Sequence, residues 1–426
     1  MTDRTRRTVL KGLGGTALAA SIASPAIAQN LDNPPFVIVG GGFGGATAAM
    51  ELAAYFPDSS ITLIEKNPVF TACPFSNLVI GGLRDLASQQ FGYDQLRRLG
   101  IKIVTDEAIG VNADTKTVTV SGGASFAYER LILSPGIDLR WNAIEGYDEA
   151  AAELMPHAWK AGRQTELLWS QIEAMEDGGT IMMAAPAAPY RCPPGPYERA
   201  SLIAHYLKTR KPRSKLIVLD AKDRFSKMPL FQKAWAEMYP DHLEWRSATD
   251  DGRVARVDAA SRTIETDFDS FSPDVANIIP PQKAGRIAEL AGVADATGWC
   301  PIDGLDFMST LVPGIHVIGD ASIANPMPKS AFSASLQAKL VAYAIGSAIL
   351  PDIKPHPTIL ANTCYSFISP DQAVSISGVY TNEGGKLASI PGSGGLSPLD
   401  DPAEARQLEA IEARDWFRTV TRGAFG

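Results

Sequence analysis

The sequence lacks an apolar run long enough to cross a membrane. The apolar stretch at residues 340–350 has only 11 residues, whereas a spanning helix needs about 20. Charged residues make up 20% and hydrophobic residues 45% of the 426-residue chain, which is typical of a globular protein and excludes a disordered or fibrous one. At roughly 100 to 200 residues per domain, this length predicts two or three domains.

The chain also lacks an excess of positive charge and an attachment site for haem. Asp and Glu outnumber Lys and Arg by 47 to 39, which gives a net charge of −8. This balance argues against nucleic-acid binding and suits a basic partner. The C-x-x-C-H motif that attaches c-type haem does not occur. Any such haem that works with this chain is therefore expected on another polypeptide.

The first 28 residues have the pattern of an export signal. Arg6 and Arg7 precede a weakly apolar, glycine- and alanine-rich stretch that ends in Ala-Ile-Ala at residues 26–28. Such a pattern is typical of a removable twin-arginine signal; the alternative is a disordered basic N-terminus. We expect residues 1–28 to be the signal, the mature chain to begin near Gln29, and the protein to work in a bacterial periplasm.

A glycine-rich turn follows the first apolar strand. Residues 36–39 are Phe-Val-Ile-Val, then Gly40, Gly42 and Gly45 form G-x-G-x-x-G, and a helix-like stretch runs over residues 46–56. In this motif the first glycine allows the tight turn, the second lets the backbone approach a pyrophosphate, and the third permits close helix packing. The helix N-terminus offers unpaired N–H groups to the phosphates. The pattern predicts a dinucleotide site rather than a simple glycine-rich turn.

The second strand, residues 61–64, ends in the acid that such a site needs. Glu65 comes about 20 residues after the turn, where it would accept a hydrogen bond from a ribose hydroxyl. The adjacent Lys66 is included among the predicted cofactor-binding residues. Strand, turn, helix and acid thus follow one another in the required order.

Two later segments end in turns of the same kind. Residues 131–133 are Leu-Ile-Leu before Ser-Pro-Gly, and the apolar residues 314–318 end in Gly319 and Asp320, ahead of a helix-like stretch at residues 333–350. With the first turn, they resemble the FAD-binding signature of the glutathione-reductase-like flavoproteins. That resemblance implies FAD as the cofactor and places Asp320, after Gly319, beside the ribityl chain of the flavin.

The chain lacks a second glycine fingerprint. The strand at residues 180–183 is followed by residues 184–198, Ala-Ala-Pro-Ala-Ala-Pro-Tyr-Arg-Cys-Pro-Pro-Gly-Pro-Tyr-Glu, with one glycine and five prolines. Side chains here would fill the space that a pyrophosphate needs. We therefore expect no nicotinamide dinucleotide, so that the flavin takes electrons from a substrate that arrives by another route.

Four cysteines are the remaining candidates for chemistry. An even number in an exported protein first suggests two structural disulfides, and four cysteines allow three connectivities. Their positions favour a reactive role: Cys73 lies just beyond the second strand, and Cys192 occupies the disabled nicotinamide site. Cys364 follows the helix after the Gly-Asp turn and can return to the same place. Cys300 is most simply a buried thiol, although it is an alternative partner for Cys192.

The segments around these residues resemble the flavoprotein subunit of flavocytochrome c sulfide dehydrogenase. The matching segments are residues 40–45, 73–74, 76–77, 81–82, 192–198, 298–301, 319–322, 326–330 and 362–366. They extend across almost the whole expected mature chain. The resemblance implies a thioether between Cys73 and the flavin, and a redox-active disulfide between Cys192 and Cys364. It also implies a small inorganic sulfur substrate and a separate c-type cytochrome subunit that carries the haem.

The implied disulfide suits sulfide as a substrate. Hydrosulfide attacks a disulfide sulfur, which leaves a persulfide on one cysteine and a thiolate on the other. We predict Cys364 as the sulfur nearer the flavin and Cys192 as the persulfide carrier. Glu198, six residues after Cys192, is the predicted proton acceptor or donor; its alternative is a surface residue in the first turn of a helix. Lys329 is expected to stabilise negative charge at the pyrimidine end of reduced flavin, unless it is simply solvated.

The predicted fold is α/β, with two Rossmann-like dinucleotide-binding domains, as in glutathione-reductase-like proteins, and a C-terminal α+β interface domain. The predicted domains are residues 29–150 with 285–354 for FAD binding, residues 151–284 for the second Rossmann-like domain, and residues 355–426 for the interface domain. Within the last, we expect strands near residues 374–380, a loop at residues 391–398 and a helix over residues 402–419. Its Trp416-Phe417 pair either anchors a partner or packs on its own core.

Three functions are compatible with these features. The first is a periplasmic sulfide dehydrogenase that passes electrons to a c-type cytochrome. The second is a membrane-surface sulfide:quinone oxidoreductase, which would favour a basic, amphipathic C-terminal anchor that this sequence does not have. The third is a non-catalytic flavoprotein accessory to a sulfur-oxidising complex, against which the presence of both presumed active-site cysteines argues. No metal site is predicted.

Overall fold

The computed structural model describes residues 33–355 and 357–426. The predicted twin-arginine signal and the expected mature start at Gln29 lie outside the described residues. The helices in these ranges are α1 (Phe43–Tyr55), α2 (Ser76–Ile80), α3 (Asp94–Arg98), α4 (Arg163–Ala174), α5 (Gly195–Arg210), α6 (Met228–Met238), α7 (Ile287–Leu290), α8 (Ala331–Ile349) and α9 (Ala403–Phe425).

The strands are short and belong to eight sheets within the described residues. They are β1 (Phe36–Val39), β2 (Ile61–Glu65), β3 (Phe70–Thr71), β4 (Gln90–Phe91), β5 (Lys102–Thr105), β6 (Ala108–Asn112), β7 (Thr117–Val120), β8 (Ser125–Ala127), β9 (Arg130–Leu133), β10 (Ile137–Leu139), β11 (Thr180–Ala185), β12 (Lys215–Asp220), β13 (Leu243–Arg246), β14 (Arg256–Asp258), β15 (Thr263–Glu265), β16 (Ser270–Phe271), β17 (Val275–Ile278), β18 (Gln282–Ala284), β19 (Cys300–Pro301), β20 (Ile315–Val317), β21 (Ser322–Ile323), β22 (Ile359–Phe367), β23 (Ala373–Glu383), β24 (Lys386–Ser389) and β25 (Gly395–Leu396).

The largest sheet is five-stranded and parallel, in the order β20-β9-β1-β2-β5. All four residues of β1 are buried, as expected for a parallel sheet covered on both faces. The strands that the sequence predicts near residues 36–39, 61–64, 131–133 and 314–318 are all members of this sheet. Helices α1 and α8 pack against each other.

Both flanking helices begin earlier than the sequence suggests. Helix α1 starts at Phe43 rather than residue 46, because the backbone of Gly42 already acts as its N-cap. Helix α8 starts at Ala331 rather than Ser333, because the hydroxyl of Ser330 caps it by accepting a hydrogen bond from the Ser333 N–H at 3.0 Å. Side-chain caps of this kind satisfy N–H groups that have no partner within the helix.

A second parallel sheet, in the order β13-β12-β11-β17, repeats the strand–turn–helix arrangement. Strand β11 leads through residues 186–194 into α5. The chain leaves the first sheet through β10 and returns from the second through β18, and these two short strands pair antiparallel. Residues of both parallel sheets belong to one continuous hydrophobic core.

The C-terminal part combines antiparallel strands with a long helix. Strands β22, β23 and β24 pair in sequence order, and β25, in the segment expected to be a loop, also pairs with β23. Helix α9 packs on β22, β23 and α1 and continues to Phe425, beyond the predicted end at residue 419. The helix is longer because its buried apolar stripe continues through Val420 and Phe425. In the part of the chain that the structure describes, no helix has both the length and the hydropathy needed to cross a bilayer.

Candidate active site

The turn after β1 is shaped by its glycines. Gly40 has a φ of +98°, and a Cβ there would lie 2.2 Å from the carbonyl oxygen of Ser134. A Cβ at Gly45 would lie 1.8 Å from the carbonyl oxygen of Gly40. Neither position therefore accepts a side chain, which agrees with the predicted roles in turning and close packing. Gly42, the N-cap of α1, lines the adjoining cleft.

Glu65, the last residue of β2, lies next to the glycine turn after β1. Its Oε2 accepts a hydrogen bond from the N–H of Gly41 at 2.8 Å, and its Oε1 accepts from the N–H of Asn67 at 2.9 Å. Lys66 forms an exposed ion pair with Glu107 at 3.7 Å. Both predicted cofactor residues, Glu65 and Lys66, line the same cleft.

That cleft has two adjoining parts. The outer part, with an empty volume of about 1580 Å³, extends from the glycine turn past Glu65. The inner part, of about 1270 Å³, is mainly apolar and is lined by the predicted residues Cys73, Cys192, Glu198, Asp320 and Cys364. The residues common to both parts are Gly42, Phe70, Cys73, Ser134, Gly136 and Arg191. The cleft is therefore elongated, with a nucleotide-type turn at one end and cysteines at the other.

The residues around Asp320 fit a bound FAD. Asp320 follows β20 and lines the inner cleft. Its Oδ2 lies 3.7 Å from Nη1 of Arg191, but its buried Oδ1 has no hydrogen-bond partner in the protein. Burial raises the pKa of this carboxyl group, although Arg191 opposes the shift. Since buried polar atoms are nearly always paired, the free oxygen suits a ligand hydroxyl such as that of a ribityl chain. Gly319 precedes it with a φ of +73°.

Three cysteines line the inner cleft. Cys73 is common to its two parts, Cys192 precedes α5, and Cys364 lies on β22. Cys300 is fully buried on β19 and outside the cleft lining, so the geometry favours Cys364 over Cys300 as the partner of Cys192. All four cysteines are free thiols in the structure, and the Cys192–Cys364 disulfide stays a prediction. The common cleft is the arrangement that this prediction requires.

The two cysteines predicted to pair have different electrostatic surroundings. Burial raises the pKa of the Cys192 thiol, the neighbouring Cys364 and Glu198 raise it further, and Lys227 and Arg191 oppose the shift. Burial also raises the pKa of Cys364, but Lys227 and a hydrogen bond from Asn362 oppose that shift. The Asn362 amide donates to Sγ of Cys364 at 3.2 Å. Lys227 opposes the shift at both cysteines, but at Cys364 it is the largest opposing influence and the sulfur also accepts a hydrogen bond, so these surroundings favour the thiolate of Cys364.

Glu198 lies in the wall of the inner cleft and is not the solvated surface residue of the alternative interpretation. Its Oε2 accepts from the Asn77 side chain at 2.7 Å, and its Oε1 accepts from the N–H of Phe367 at 2.9 Å. Phe367 ends β22, the strand that carries Cys364. Burial raises the pKa of Glu198, while these two hydrogen bonds and nearby cations lower it. The carboxyl group therefore joins α5 to the strand of Cys364.

Lys329 is not brought to the cleft lining. Its ammonium group donates to the carbonyl oxygen of Ser322 at 2.6 Å and lies 4.0 Å from the ring centroid of Trp299. Burial lowers its pKa to about 8, although Asp320 opposes this. Its main-chain carbonyl oxygen accepts a hydrogen bond from the N–H of Cys192 at 2.9 Å, and the contact of its side chain with the pyrimidine end of a flavin stays a prediction.

Several residues of the cleft wall were not predicted as site residues. Arg191 lines both parts of the cleft, and Arg199, only 1% exposed, donates to Asn77 Oδ1 at 3.1 Å and Asn277 Oδ1 at 2.8 Å. The only available sequence signal for Arg191 is its position next to Cys192. Arg199 has no comparable signal, because its hydrogen-bond partners are at least 41 residues away along the chain.

The Trp416-Phe417 pair packs within its own chain. Trp416 lines the inner cleft and stacks on Phe332, with ring centroids 6.0 Å apart. Phe417 is buried and stacks on Phe75 at 4.5 Å. The pair therefore belongs to the core and the cleft wall, as the second interpretation of the sequence expects.

The turn after β11 is filled by the protein's own side chains. Asp220, at the end of β12, is fully buried and accepts hydrogen bonds from Tyr197 at 2.6 Å and from Trp245 at 3.1 Å. Lys222 pairs with the same carboxylate at 2.5 Å and donates to the carbonyl oxygen of Pro186 at 2.6 Å. Within residues 33–355 and 357–426, no cluster of three or more His, Cys, Asp or Glu residues is arranged to hold a metal ion.

The chain has an α/β fold that contains a pyridine nucleotide-disulphide oxidoreductase domain. Residues 34–166 match the family model of pyridine nucleotide-disulphide oxidoreductases. Residues 165–280 match the central domain of the sulfide dehydrogenase [flavocytochrome c] flavoprotein chain, and residues 356–425 match the flavin-binding domain of flavocytochrome c sulphide dehydrogenase.

Individual relatives agree with these family matches. The sulfide dehydrogenase [flavocytochrome c] flavoprotein chain of Chlorobaculum thiosulfatiphilum is 54% identical over 43 residues, which are 10% of this chain and 90% of that sequence. The mitochondrial sulfide:quinone oxidoreductase of Mus musculus is 20% identical over 71% of this chain and 68% of its own. The chain belongs to the flavocytochrome c sulfide dehydrogenase flavoprotein family, which is related to the sulfide:quinone oxidoreductases.

A solved structure shows the same fold. The sulfide:quinone oxidoreductase of Aquifex aeolicus superposes with a TM-score of 0.70 at 17% identity, over 92% of both chains. The architecture therefore extends across nearly the full length of the chain, including the C-terminal part.

Proposed function

We propose that the protein oxidises hydrosulfide to sulfur or polysulfide with bound FAD and a redox-active Cys192–Cys364 disulfide. The observation that carries this proposal is that both cysteines line the inner part of the cleft whose outer part has the glycine turn. In this assignment the outer cleft holds the adenosine and pyrophosphate portions, and Asp320 receives the ribityl chain. The two parallel sheets then serve as two Rossmann-like domains, with residues 355–426 as an interface domain.

The cysteine chemistry needs no reactant other than hydrosulfide and the bound FAD. Hydrosulfide attacks Sγ of Cys192, the S–S bond breaks, and a Cys192 persulfide and a Cys364 thiolate result. A second hydrosulfide attacks the outer sulfur of the persulfide, which releases hydrogen disulfide and leaves a Cys192 thiolate. The two thiolates can then close the disulfide again and give up one electron pair. Bound FAD supplies the acceptor of that electron pair, and its chemistry allows the electrons to pass on to an acceptor one at a time.

Glu198 is proposed to hold the proton that hydrosulfide or the persulfide loses. Its carboxyl group lies at the cleft with its two oxygens held by Asn77 and Phe367. A general base works best when its pKa lies near the working pH, and burial shifts the pKa of Glu198 in that direction. The two hydrogen bonds hold the carboxyl group in one orientation at the wall of the inner cleft.

Cys73 is proposed as the site of a thioether to the flavin. It lines both parts of the cleft, and its Sγ is 3.8 Å from the carbonyl oxygen of Trp159. Arg191 and Arg199 both interact electrostatically with this sulfur.

Electrons are proposed to pass to a c-type cytochrome subunit in the periplasm. The family name itself refers to a flavocytochrome, and the chain carries a net charge of −8, which would steer a partner with a basic haem edge. The periplasmic site follows from the predicted twin-arginine signal. Separate haem is required because the chain has no attachment motif of its own.

Anaerobic bleaching of the bound flavin by sulfide tests the central proposal. Cys192→Ser and Cys364→Ser should each lose sulfide-dependent bleaching, because neither variant can form the disulfide, whereas both should still be bleached by dithionite. Cys300→Ser is the matched control and should react like the wild type, since Cys300 is buried outside the cleft. Bleaching by sulfide in Cys192→Ser at the wild-type rate would refute the disulfide mechanism.

A quinone acceptor is the second candidate, because the mitochondrial sulfide:quinone oxidoreductase of Mus musculus matches 71% of this chain. Sulfide-dependent reduction of cytochrome c, compared with that of a soluble quinone analogue, separates the two acceptors. We expect faster reduction of the cytochrome. A wild-type protein that sulfide does not bleach at all would instead favour the non-catalytic accessory role.

A further inference from the structure

Lys227 is a buried cation behind the strand of Cys364. It immediately precedes α6 and is only 3% exposed. Its Nζ donates to the carbonyl oxygen of Cys364 at 2.8 Å, to the hydroxyl of Ser366 at 2.7 Å and to the carbonyl oxygen of Val374 at 3.1 Å. A lysine ammonium group has three N–H donors, and all three are used. Such complete pairing offsets the cost of burying the charge.

The ammonium group bridges two paired strands. Ser366 of β22 is the register partner of Val374 of β23, and Lys227 binds both. The third acceptor belongs to Cys364, two residues before Ser366 on β22. The lysine therefore fixes the backbone of Cys364 while placing a positive charge next to it.

The two carboxyl groups near Lys227 already have hydrogen-bond or ion-pair partners of their own. The charged or titratable groups that act on it are Cys364, Glu198, Cys192 and Glu409. Glu198 is held by Asn77 and Phe367. Glu409 accepts hydrogen bonds from Ser375 and Ser397 and pairs with Arg406 at 3.4 Å. A thiolate formed at Cys364 would be a new negative charge beside a cation already in place.

We propose that Lys227 is a positioning residue that makes Cys364, and not Cys192, the thiolate of the opened cysteine pair. This inference rests on the proposed function and explains which of the two cysteine sulfurs hydrosulfide attacks. In thiol–disulfide exchange, the sulfur with the better stabilised thiolate leaves faster. Hydrosulfide is thereby directed to Sγ of Cys192: the new S–S bond forms there, the bond to Cys364 breaks, and its electron pair stays on Cys364 beside Lys227.

The charge of Lys227 is present at neutral pH and lost in alkali. Burial lowers its pKa to about 8, while Cys364 and Glu198 favour its charged form. A lysine with a lowered pKa loses its proton as the pH rises through that value. The advantage of Cys364 over Cys192 should therefore decline above about pH 8.

Cysteine alkylation measures this preference directly. The FAD-loaded protein is reduced with excess phosphine under nitrogen and treated with iodoacetamide over a range of pH, and the Cys192 and Cys364 peptides are quantified by mass spectrometry. In the wild type, Cys364 should react faster than Cys192 at neutral pH. Lys227→Met should slow alkylation of Cys364 at neutral pH about tenfold, because an adjacent opposite charge shifts a pKa by about one unit or more, and should affect Cys192 less.

Two further variants separate charge from structure. Lys227→Arg keeps the cation and should retain the reactivity of Cys364. Ser366→Ala removes one acceptor of the ammonium group but no charge, so it should lower the melting temperature without changing the alkylation profile. A folded Lys227→Met protein with an unchanged Cys364 profile would overturn the inference. A wild type in which Cys192 reacts faster than Cys364 would do so as well, even if Lys227→Met does not fold.

The experiments distinguish failure of this inference from failure of the proposed function. If sulfide fails to bleach the wild-type flavin while Cys364 keeps its advantage, the proposed sulfide oxidation is wrong and the role of Lys227 stands. If sulfide bleaches the flavin but Lys227→Met leaves the relative reactivity of the two cysteines unchanged, only the role of Lys227 is wrong.

Discussion

The turns after β1 and β11 occupy equivalent positions in two strand–turn–helix units, yet one leaves space and the other fills it. After β1, Gly40 and Gly45 come so close to neighbouring backbone that no side chain fits. After β11, the buried Tyr190 and Pro194 occupy the turn, and Cys192 points into the inner cleft. The same strand–turn–helix arrangement therefore presents a glycine-rich turn in one unit and a cysteine side chain in the other.

The second turn retains one glycine for a different reason. A Cβ at Gly195 would lie 3.0 Å from Sγ of Cys192 and 2.8 Å from the ring of Trp159. In the first turn Gly40 and Gly45 allow close approach of neighbouring backbone, whereas here Gly195 makes room for a cysteine side chain and a tryptophan ring. The same residue type therefore serves two kinds of site.

The largest effect is expected from breaking the first turn. Gly45→Ala would place a methyl group 1.8 Å from a backbone oxygen that cannot move without displacing the turn. The protein should lose nearly all bound flavin, measured as the ratio of visible to ultraviolet absorbance. Gly423→Ala, where nothing lies within 4 Å of the new Cβ, is the matched control and should retain it. A fully flavinylated Gly45→Ala protein would show that this turn does not hold the cofactor.

The next largest effect is a loss of folding stability when the polar network beside the turn after β11 is broken. Asp220→Asn removes the negative charge that pairs with Lys222 at 2.5 Å, and breaking one partner of a buried pair costs about 3 kcal/mol. Denaturant unfolding should show this loss, and the exposed Asp241→Asn should show none. An Asp220→Asn protein as stable as the wild type would mean that Lys222 does not depend on this partner.

Glu198 gives a pH-dependent prediction. Because burial raises its pKa, the carboxyl group is protonated at a higher pH than an ordinary glutamate, and a protonated group cannot accept a proton. Sulfide-dependent bleaching should therefore fall on the acid side earlier than a pKa near 4.3 would give. Glu198→Gln should be about 100-fold slower at neutral pH and should lose this acid limb in stopped-flow measurements. Equal rates and equal profiles for both proteins would exclude Glu198 as the base.

The smallest effect is expected from crowding the sulfur. In Gly195→Ala the new Cβ would lie 3.0 Å from Sγ of Cys192, which is closer than an ordinary van der Waals contact. We therefore expect the sulfur to move by a few tenths of an ångström. Sulfide-dependent bleaching should slow about tenfold, because small misplacements of reacting groups are costly, while flavin content stays at the wild-type level. Loss of flavin together with activity would instead mean that the second turn, like the first, supports the cofactor.

Much of the fold was predictable because its signals are local. The buried strands, the Gly40 turn and the order of the segments around Cys73, Cys192 and Cys364 follow from residue type and spacing. The end of α9 was placed six residues too early, at residue 419 instead of Phe425. Glycine often follows a helix end, but residues 420–426 contain both Gly423, which lies inside the helix, and Gly426, which follows it, so the signal does not show which glycine marks the end.

The candidate site was predictable only in part. Asp320 and Glu198 are found at the cleft, as expected, but Lys329 is held by Ser322 and Trp299 away from it. Lys329 lies between the proline-containing residues 326–328 and the start of α8, and this position does not indicate which neighbour its long side chain will reach. Arg191 was visible in the sequence but had no distinguishing pattern.

The sequence by itself determined which positions must be glycine and which residues can do redox or proton chemistry, because backbone conformation and side-chain reactivity are properties of single residues and their immediate neighbours. The tertiary structure alone decided that Lys227 supports Cys364 across 137 residues of chain, and that Glu198 reaches Phe367 across 169. Such contacts depend on how α5, α6 and β22 pack together. The local spacing of residues cannot specify them, because each partner is equally compatible with many other neighbours.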